Sequence, residues 1–143
     1  MRTLALDVGD RRIGVAISDQ TDTIATGISV IERKTLENDI NIIIGFIRHY
    51  QPNELVVGLP ITMKGTESKQ TQKVNKFINQ LKEKISIPIV PYCERLSTKE
   101  GERLLLSADV SRKKRKSLID KVAAQIILQT YLDSKGGHID PDA

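Results

Sequence analysis

The sequence predicts an α/β fold, in which helices flank a mixed sheet. Three observations support this class: a hairpin pattern near the N-terminus, later strand-like runs separated by amphipathic helices, and a length that suits one domain. The 143 residues, 39% of them apolar, are enough to bury a core of ordinary size. Because Cys93 is the only cysteine, the chain has no internal disulfide.

The first strands are predicted from a period of two. Residues 3–9 and 13–17 alternate apolar side chains with small or polar ones. The turn-forming residues 9–12 join them, so the two runs are expected to pair as a hairpin. The run 24–31 adds a third antiparallel strand.

The chain then changes period. Apolar residues between 36 and 47 recur at helical spacing, and Pro52 follows this first helix. Residues 54–59 form a β-branched strand, and a second helical stripe covers residues 74–85. The run 87–92 predicts a fifth strand at an edge of the sheet, because prolines interrupt it.

The C-terminal part contains two further predicted helices. Ser97 and Glu100 form a capping box, which predicts a helix as far as Leu106. A polar and basic segment, residues 109–117, is expected to precede a buried helix over residues 118–132. One domain is therefore expected over residues 1–134, followed by a polar tail over residues 135–143.

Composition limits the compartment and the partners. No apolar stretch approaches the ~20 residues of a membrane span, and the N-terminus lacks a signal-peptide pattern. A cytoplasmic protein with no membrane partner is expected. The net charge of +4 permits an anionic partner. With no Trp, 3 Tyr and 2 Phe, contacts to phosphate rather than base stacking are expected to dominate binding of a nucleic acid.

Asp7 stands inside a predicted strand, where aspartate is disfavoured and burial of its charge is costly. The residues expected around it on the same face are all small: Ala5, Gly9, Gly14, Ala16 and Ser18. This space suits a bound anion or a hydrated metal, which favours a functional acid. The alternative is a structural aspartate that accepts hydrogen bonds from the turn.

Two more acids occupy positions where ligand-binding sites of α/β proteins are common. Glu94 ends an apolar strand, where ligands of open α/β sheets gather, and Asp120 falls in the first turn of the predicted last helix. The structural alternatives are an ion pair with Arg95 for Glu94 and a favourable helix dipole for Asp120. Together with Asp7 they predict a site for Mg²⁺ or Mn²⁺ and metal-assisted hydrolysis of a phosphodiester.

A family resemblance rests on four ordered segments. They are Asp7-Val8-Gly9-Asp10-Arg11-Arg12-Ile13-Gly14-Val15-Ala16, Val57-Gly58-Leu59-Pro60 with Gly65-Thr66, Glu94-Arg95-Leu96-Ser97-Thr98, and Ile119-Asp120-Lys121-Val122-Ala123-Ala124. These segments resemble the motifs of the YqgF family, Holliday-junction-resolvase-like nucleases of the ribonuclease H superfamily. Two positions differ from the usual pattern of that family, because Cys93 replaces an aspartate and Gly101 replaces an alanine.

The resemblance implies a ribonuclease H-like fold with a five-stranded mixed sheet, and it assigns metal binding and catalysis to Asp7, Glu94 and Asp120. It further implies a cytoplasmic nuclease in 5′-end maturation of the 16S rRNA precursor, hence a role in ribosome biogenesis with ribosomal particles as further partners. Ser117 and Lys116, one turn before Asp120, supply no fourth carboxylate. The sequence is therefore compatible with one ion or with two.

Cations near these acids are candidates for binding substrate phosphate. The first candidates are five consecutive cations: Arg112, Lys113, Lys114, Arg115 and Lys116. The alternative interpretation of such a run is a solvated loop. The loop after residue 58 adds Lys64, Thr66 and Lys69. Arg12 and Arg95 flank the acids, where each either contacts phosphate or pairs with a carboxylate.

Two other functions are compatible with the sequence. One is resolution of branched DNA, the Holliday junction, which favours a symmetric homodimer over a monomer. The other is a nucleic-acid-binding or transcription-associated factor with weak catalysis, and the intact set of three acids disfavours it.

Overall fold

The protein forms a five-stranded mixed sheet with helices on both faces. A computed structural model describes residues 1–60, 69–94 and 112–136, with the backbone alone for Pro60, Cys93, Glu94, residues 112–120 and Gly136. The strands are β1 (Thr3–Val8), β2 (Arg12–Ser18), β3 (Ala25–Glu32), β4 (Glu54–Pro60) and β5 (Ile89–Glu94). The helices of the described part are α1 (Leu36–Tyr50), α2 (Lys69–Lys82) and α3 (Arg112–Gly136).

The strand order is β3-β2-β1-β4-β5. The first three strands pair antiparallel, as the hairpin pattern predicts. β4 lies parallel to β1, and β5 lies parallel to β4. The predicted mixed sheet is therefore confirmed, and β5 lies at an edge, where a proline-containing strand is tolerated.

Alternation along β1 divides the core into two layers. Leu4 and Leu6 face the large aliphatic residues of α1 and α2. Ala5 lies on the other face, in a cluster with Ala16 of β2 and Ala124 of α3. Small side chains on this second face allow α3 to approach the sheet closely.

Two glutamines of α3 also fix the helix along the edge strand β3. The backbone N–H groups of Gly27 and Ala25 donate to Oε1 of Gln125 (3.1 Å) and of Gln129 (2.9 Å). Nε2 of Gln129 donates in turn to the Thr23 carbonyl oxygen at 2.9 Å. These side chains, one helical turn apart, satisfy backbone groups that an edge strand otherwise presents to solvent.

The last helix begins earlier than predicted. Residues 109–117 were expected to precede a helix over residues 118–132, whereas α3 starts at Arg112. Lys and Arg are good helix formers, and no Gly or Pro interrupts residues 112–135, so the helix extends beyond its apolar part. It also continues to Gly136, two residues into the predicted tail. The predicted helix over residues 97–106 lies outside the described residues.

Membrane insertion finds no support in the described helices. None of those within residues 1–60, 69–94 and 112–136 combines the length and the apolar character that a membrane span requires. Even α3, with 25 residues, carries charged side chains at both ends.

We expect Gly27→Ala to destabilise the protein. A Cβ at Gly27 would lie 2.7 Å from Cγ of Lys121 and 2.8 Å from its carbonyl oxygen, so α3 would have to move. Overpacking of this kind lowers the free energy of unfolding by about 1–3 kcal/mol. Urea denaturation measures the change.

Gly45→Ala is the matched control. Gly45 is an exposed residue of α1, and a Cβ there would meet no atom within 4 Å. The substitution should raise the free energy of unfolding by about 0.5–1 kcal/mol, because alanine is the better helix former. Shifts of the same sign in both variants would contradict the close approach of α3 to β3.

Candidate functional site

Asp7 lies at the end of β1, as the next-to-last residue of the strand, and its side chain is half-buried. The register pairs Asp7 with Gly14, and it pairs Ala5, two residues earlier, with Ala16. The predicted small surroundings are therefore confirmed. A bulky side chain at any of these positions would fill the space beside the carboxylate.

Glu94 is the last residue of β5, as the sequence predicts. Because β1, β4 and β5 are parallel, their carboxyl ends meet at one edge of the sheet, with β1 and β5 about 10 Å apart across β4. Val90 and Tyr92 of β5 pack in the layer of α3. Glu94 occupies the next position in the same alternation.

Asp120 lies about two turns inside α3, and its predicted place in the first turn is wrong because the helix starts at Arg112. The helix dipole therefore does not account for this acid, since its effect fades within the first turn.

The direction of α3 sets the side of the sheet's centre on which Asp120 lies. The Tyr131 hydroxyl donates to Glu54, which pairs with Thr3 at the start of β1, so α3 runs opposite to β1. Lys121 lies against Gly27, in the row that Ala5, Ala16 and Gly27 form across three strands. Asp120, which precedes Lys121, and Asp7, which follows Ala5, therefore both lie on the side of this row that leads to the carboxyl end of β1.

The backbone thus brings three acid positions to one edge of the sheet, on its α3 face: Asp7, Glu94 and Asp120, here termed the acid edge. The side chains of Glu94 and Asp120 lie outside the described part of the chain. Among the side chains that are described, no three His, Cys, Asp or Glu residues form a cluster that could hold a metal. Convergence of the three carboxylates stays a prediction.

The predicted phosphate-binding residues fall in different places. Arg12 begins β2 and pairs with Glu32, its Nε lying 3.5 Å from the carboxylate. Lys69 is exposed at the start of α2. Three candidates lie outside the described residues: Lys64, Thr66 and Arg95.

The basic run is not the loop that its composition suggests. Residues 112–116 form the first turn and a half of α3, and their side chains lie outside the description. These five cations stand at the positive end of the helix dipole, an arrangement that is electrostatically unfavourable without an anion nearby.

An arginine that sequence reasoning missed holds the turn beside Asp7. Nη1 of Arg33 donates to the Gly9 carbonyl oxygen at 2.8 Å, and its Nε lies 3.1 Å from the Asp39 carboxylate. Asp39 is only 1% exposed and also accepts from the Lys34 backbone N–H at 3.1 Å. The turn is therefore fixed to the start of α1 by a buried, hydrogen-bonded ion pair.

A signal for this pair exists in the sequence. Asp39 stands three residues after Leu36 and four before Ile43, so it lies within the apolar stripe of α1. An acid in a buried stripe requires a partner, and Arg33 is that partner.

A polar network fixes the far end of α3, away from the acid edge. The Tyr131 hydroxyl and the Lys135 ammonium both donate to Glu54, at 3.0 and 2.9 Å. Burial, and then the hydrogen bond to Glu54, raise the pKa of Tyr131; the same carboxylate raises the pKa of Lys135. Both groups keep their protons at neutral pH and tie α3 to β4.

Comparison with known proteins places the chain among relatives over nearly its whole length. The family model described as "RuvX: Holliday junction resolvase" matches residues 1–134. A protein of Desulforamulus reducens named "Putative pre-16S rRNA nuclease" is 51% identical over 134 residues, which cover 94% of this chain and 98% of the relative. One of the same name from Halothermothrix orenii is 52% identical over 133 residues, covering 93% and 95%.

The fold is shared with a solved structure of T. thermophilus RuvC in complex with Holliday junction substrate. The TM-score is 0.57 at 11% identity, and the match covers 96% of this chain and 97% of that one. The ribonuclease H-like fold is thereby confirmed.

Asp39→Ala tests the link between the turn and α1. The substitution leaves Arg33 and the Lys34 N–H without their acceptor, so the free energy of unfolding should fall by about 1.5–3 kcal/mol. Chemical denaturation measures it. The control is Glu37→Ala, which removes an exposed acid of the same helical turn and should lower it by less than about 1 kcal/mol. Equal losses would show that the buried pair adds nothing.

Proposed function

Since the chain belongs to the RuvX (YqgF) family of Holliday-junction-resolvase-like nucleases, we propose that the acid edge is its active site and that the 16S rRNA precursor is its substrate. The protein is then a hydrolase of phosphodiester bonds. The observation that carries this proposal is the placement of Asp7. It is a half-buried acid at the carboxyl end of β1, paired with Gly14 and surrounded by small residues.

The acid edge suits a divalent cation, and we assign Asp7, Glu94 and Asp120 as the residues that hold Mg²⁺ or Mn²⁺. Carboxylate oxygens are the ligands that these hard cations prefer. Gly14 opposite Asp7 and the alanines below it leave room for an ion with its water ligands. When bound, the ion neutralises charge on the scissile phosphate and lowers the pKa of the attacking water.

The chain's own residues hold and orient the substrate. In this proposal the cations of residues 112–116 contact phosphates beside the acid edge, and an anion there relieves their repulsion at the start of α3. Arg12, at the start of β2, stands near Asp7 and supplies a further positive charge. Weaker contacts are assigned to Lys64, Thr66, Lys69 and Arg95.

The RNA substrate is supported by the name of the relatives, which are about half identical over nearly the full chain. The same name also supports ribosomal particles in the cytoplasm as the setting. The family description instead names the Holliday junction. A junction needs two symmetric cuts and hence a homodimer, whereas a precursor RNA needs one active site and a monomer suffices.

Asp7→Asn should abolish most cleavage. The amide removes a charged ligand while keeping its size, so the turnover number should fall by at least about 100-fold, whereas the fold and the affinity for RNA stay close to wild type. Cleavage is measured on a labelled 16S precursor fragment and on a four-way DNA junction, each with Mg²⁺, with Mn²⁺ and with chelator.

Glu83→Gln is the matched control, because it removes an exposed acid that follows the end of α2, away from the acid edge. Wild-type turnover in Asp7→Asn, or cleavage that persists in chelator, would refute the metal-dependent active site. Cleavage of the junction alone would keep the active site and replace the substrate.

Neutralising Lys113, Lys114 and Lys116 to glutamine should weaken binding without removing catalysis. Backbone contacts act on every sequence alike, so the salt dependence of log K should lose about one unit per contact. Turnover at saturating substrate should exceed that of Asp7→Asn, since these contacts act in the ground and transition states together.

The control removes three exposed cations elsewhere: Arg48→Gln, Lys82→Gln and Lys84→Gln. Filter binding across a salt series compares the two triple variants. Equal affinity of the two triple variants would show that residues 112–116 do not bind phosphate and are an ordinary solvated helix end.

A further inference from the structure

A groove lies on the face of the sheet opposite α3, between α2 and the turn that joins β1 to β2. It has a volume of about 300 Å³ and is here termed the α2 groove. Its lining includes Val8, Asp10, Arg33, Lys73, Lys76 and Gln80. None of these positions belongs to the acid edge.

The α2 helix concentrates positive charge. Its 14 residues contain four lysines and no acid, and its other polar residues are Gln, Asn and the buried Thr71. Lys69, Lys73 and Lys76 recur at spacings of four and three, so they lie along one side of the helix. A helix surface of lysines and amides without carboxylates is typical of a face that meets phosphate.

The charge within the groove is positive. Lys73 and Lys76 contribute two cations, because the charge of Arg33 is already balanced by Asp39, and Asp10 is the one acid among the lining residues that are described. Asp10 lies 3.4 Å from the ammonium of Lys73, and both side chains are 63% exposed. Such an exposed ion pair is weak, so it yields readily to a phosphate.

The groove is adjacent to the acid edge. Val8, which lines it, directly follows Asp7 in β1, and the Gln70 side chain donates to the Val8 carbonyl oxygen at 3.4 Å. Arg33 holds the carbonyl oxygen of Gly9. A nucleic-acid strand bound at the acid edge therefore reaches the α2 groove where it crosses the carboxyl end of β1.

We propose that the α2 groove binds the sugar-phosphate backbone of the substrate strand beside the scissile bond, in single-stranded form. The inference rests on the proposed nuclease function and adds to it a second contact surface. A groove of about 300 Å³ has the volume of a small-ligand site, which admits the sugar and phosphate of a single strand. Lys73 and Lys76 neutralise phosphate, and Gln70 and Gln80 offer amide donors.

The test measures binding in an Asp7→Asn background, so that no substrate is consumed. Fluorescence anisotropy follows a labelled 12-nucleotide oligouridylate and its oligothymidylate counterpart through a KCl series. Lys73→Gln with Lys76→Gln should weaken binding of both on the order of tenfold at low salt and reduce the salt slope by about 1.4. Asp10→Asn should tighten binding, because it removes the negative charge from the groove.

The matched control is Lys82→Gln with Lys84→Gln, which removes the same charge from the end of α2 and the residues after it. It should alter affinity by less than about twofold, because a distant exposed charge is screened. Equal losses in the two double variants, or a loss confined to one oligonucleotide, would overturn the backbone assignment. Cleavage with Mg²⁺ is measured separately on the protein that keeps Asp7. This measurement tests the nuclease function independently of whether the α2 groove binds the oligonucleotides.

Discussion

The close contact between α3 and the small-residue face of the sheet is the constraint on which the rest depends. Ala5, Ala16 and Gly27 form a row across three strands, and α3 lies against them at Lys121 and Ala124. This contact fixes the height of the helix above β1. It also places Asp120, the residue before Lys121, on the side of this row that leads to the carboxyl end of β1.

The two faces of the sheet serve different purposes. The layer under α1 and α2 contains large, fully buried aliphatic residues and supplies most of the apolar burial. On the α3 side the sheet presents mostly alanines and glycine, so this layer contributes less, and polar contacts at Gln125, Gln129 and Tyr131 also hold the helix. The apolar burial that stabilises the fold therefore lies mainly on the face away from the acids. Charges can lie close together at the acid edge without disturbing this larger part of the core.

Much of the fold follows from local pattern. The strands from Thr3 to Ser18 alternate regularly because one face meets large side chains and the other meets α3. The proline-containing strand β5 lies at an edge, where a missing backbone donor is tolerated. The start of α3 was mispredicted because an apolar stripe marks only the buried part of a helix. The high helix propensity of Lys and Arg extends the helix through the basic residues.

The candidate site was less accessible to sequence reasoning. Asp7 could be identified as a site candidate because an acid inside a strand conflicts with its apolar neighbours. Glu94 could be identified because it is the last residue of a strand. Helical periodicity marks Asp39 as an acid within the apolar stripe of α1, but its pairing with Arg33 depends on how β3 leads into α1. The α2 groove depends on which turn lies beside α2, and only the lack of acids in that helix marks it in the sequence.

The glutamine contacts of α3 have a consequence for how copies of this protein can meet. An open sheet recruits further strands through the unpaired backbone of its outermost members, which is the usual route to intermolecular sheets and fibrils. At β3, two of those backbone donors are already occupied by Gln125 and Gln129. At β5, Pro91 offers no donor at all. Both rims of the sheet are thus poor templates for another strand, so two copies are not expected to join through one continuous sheet.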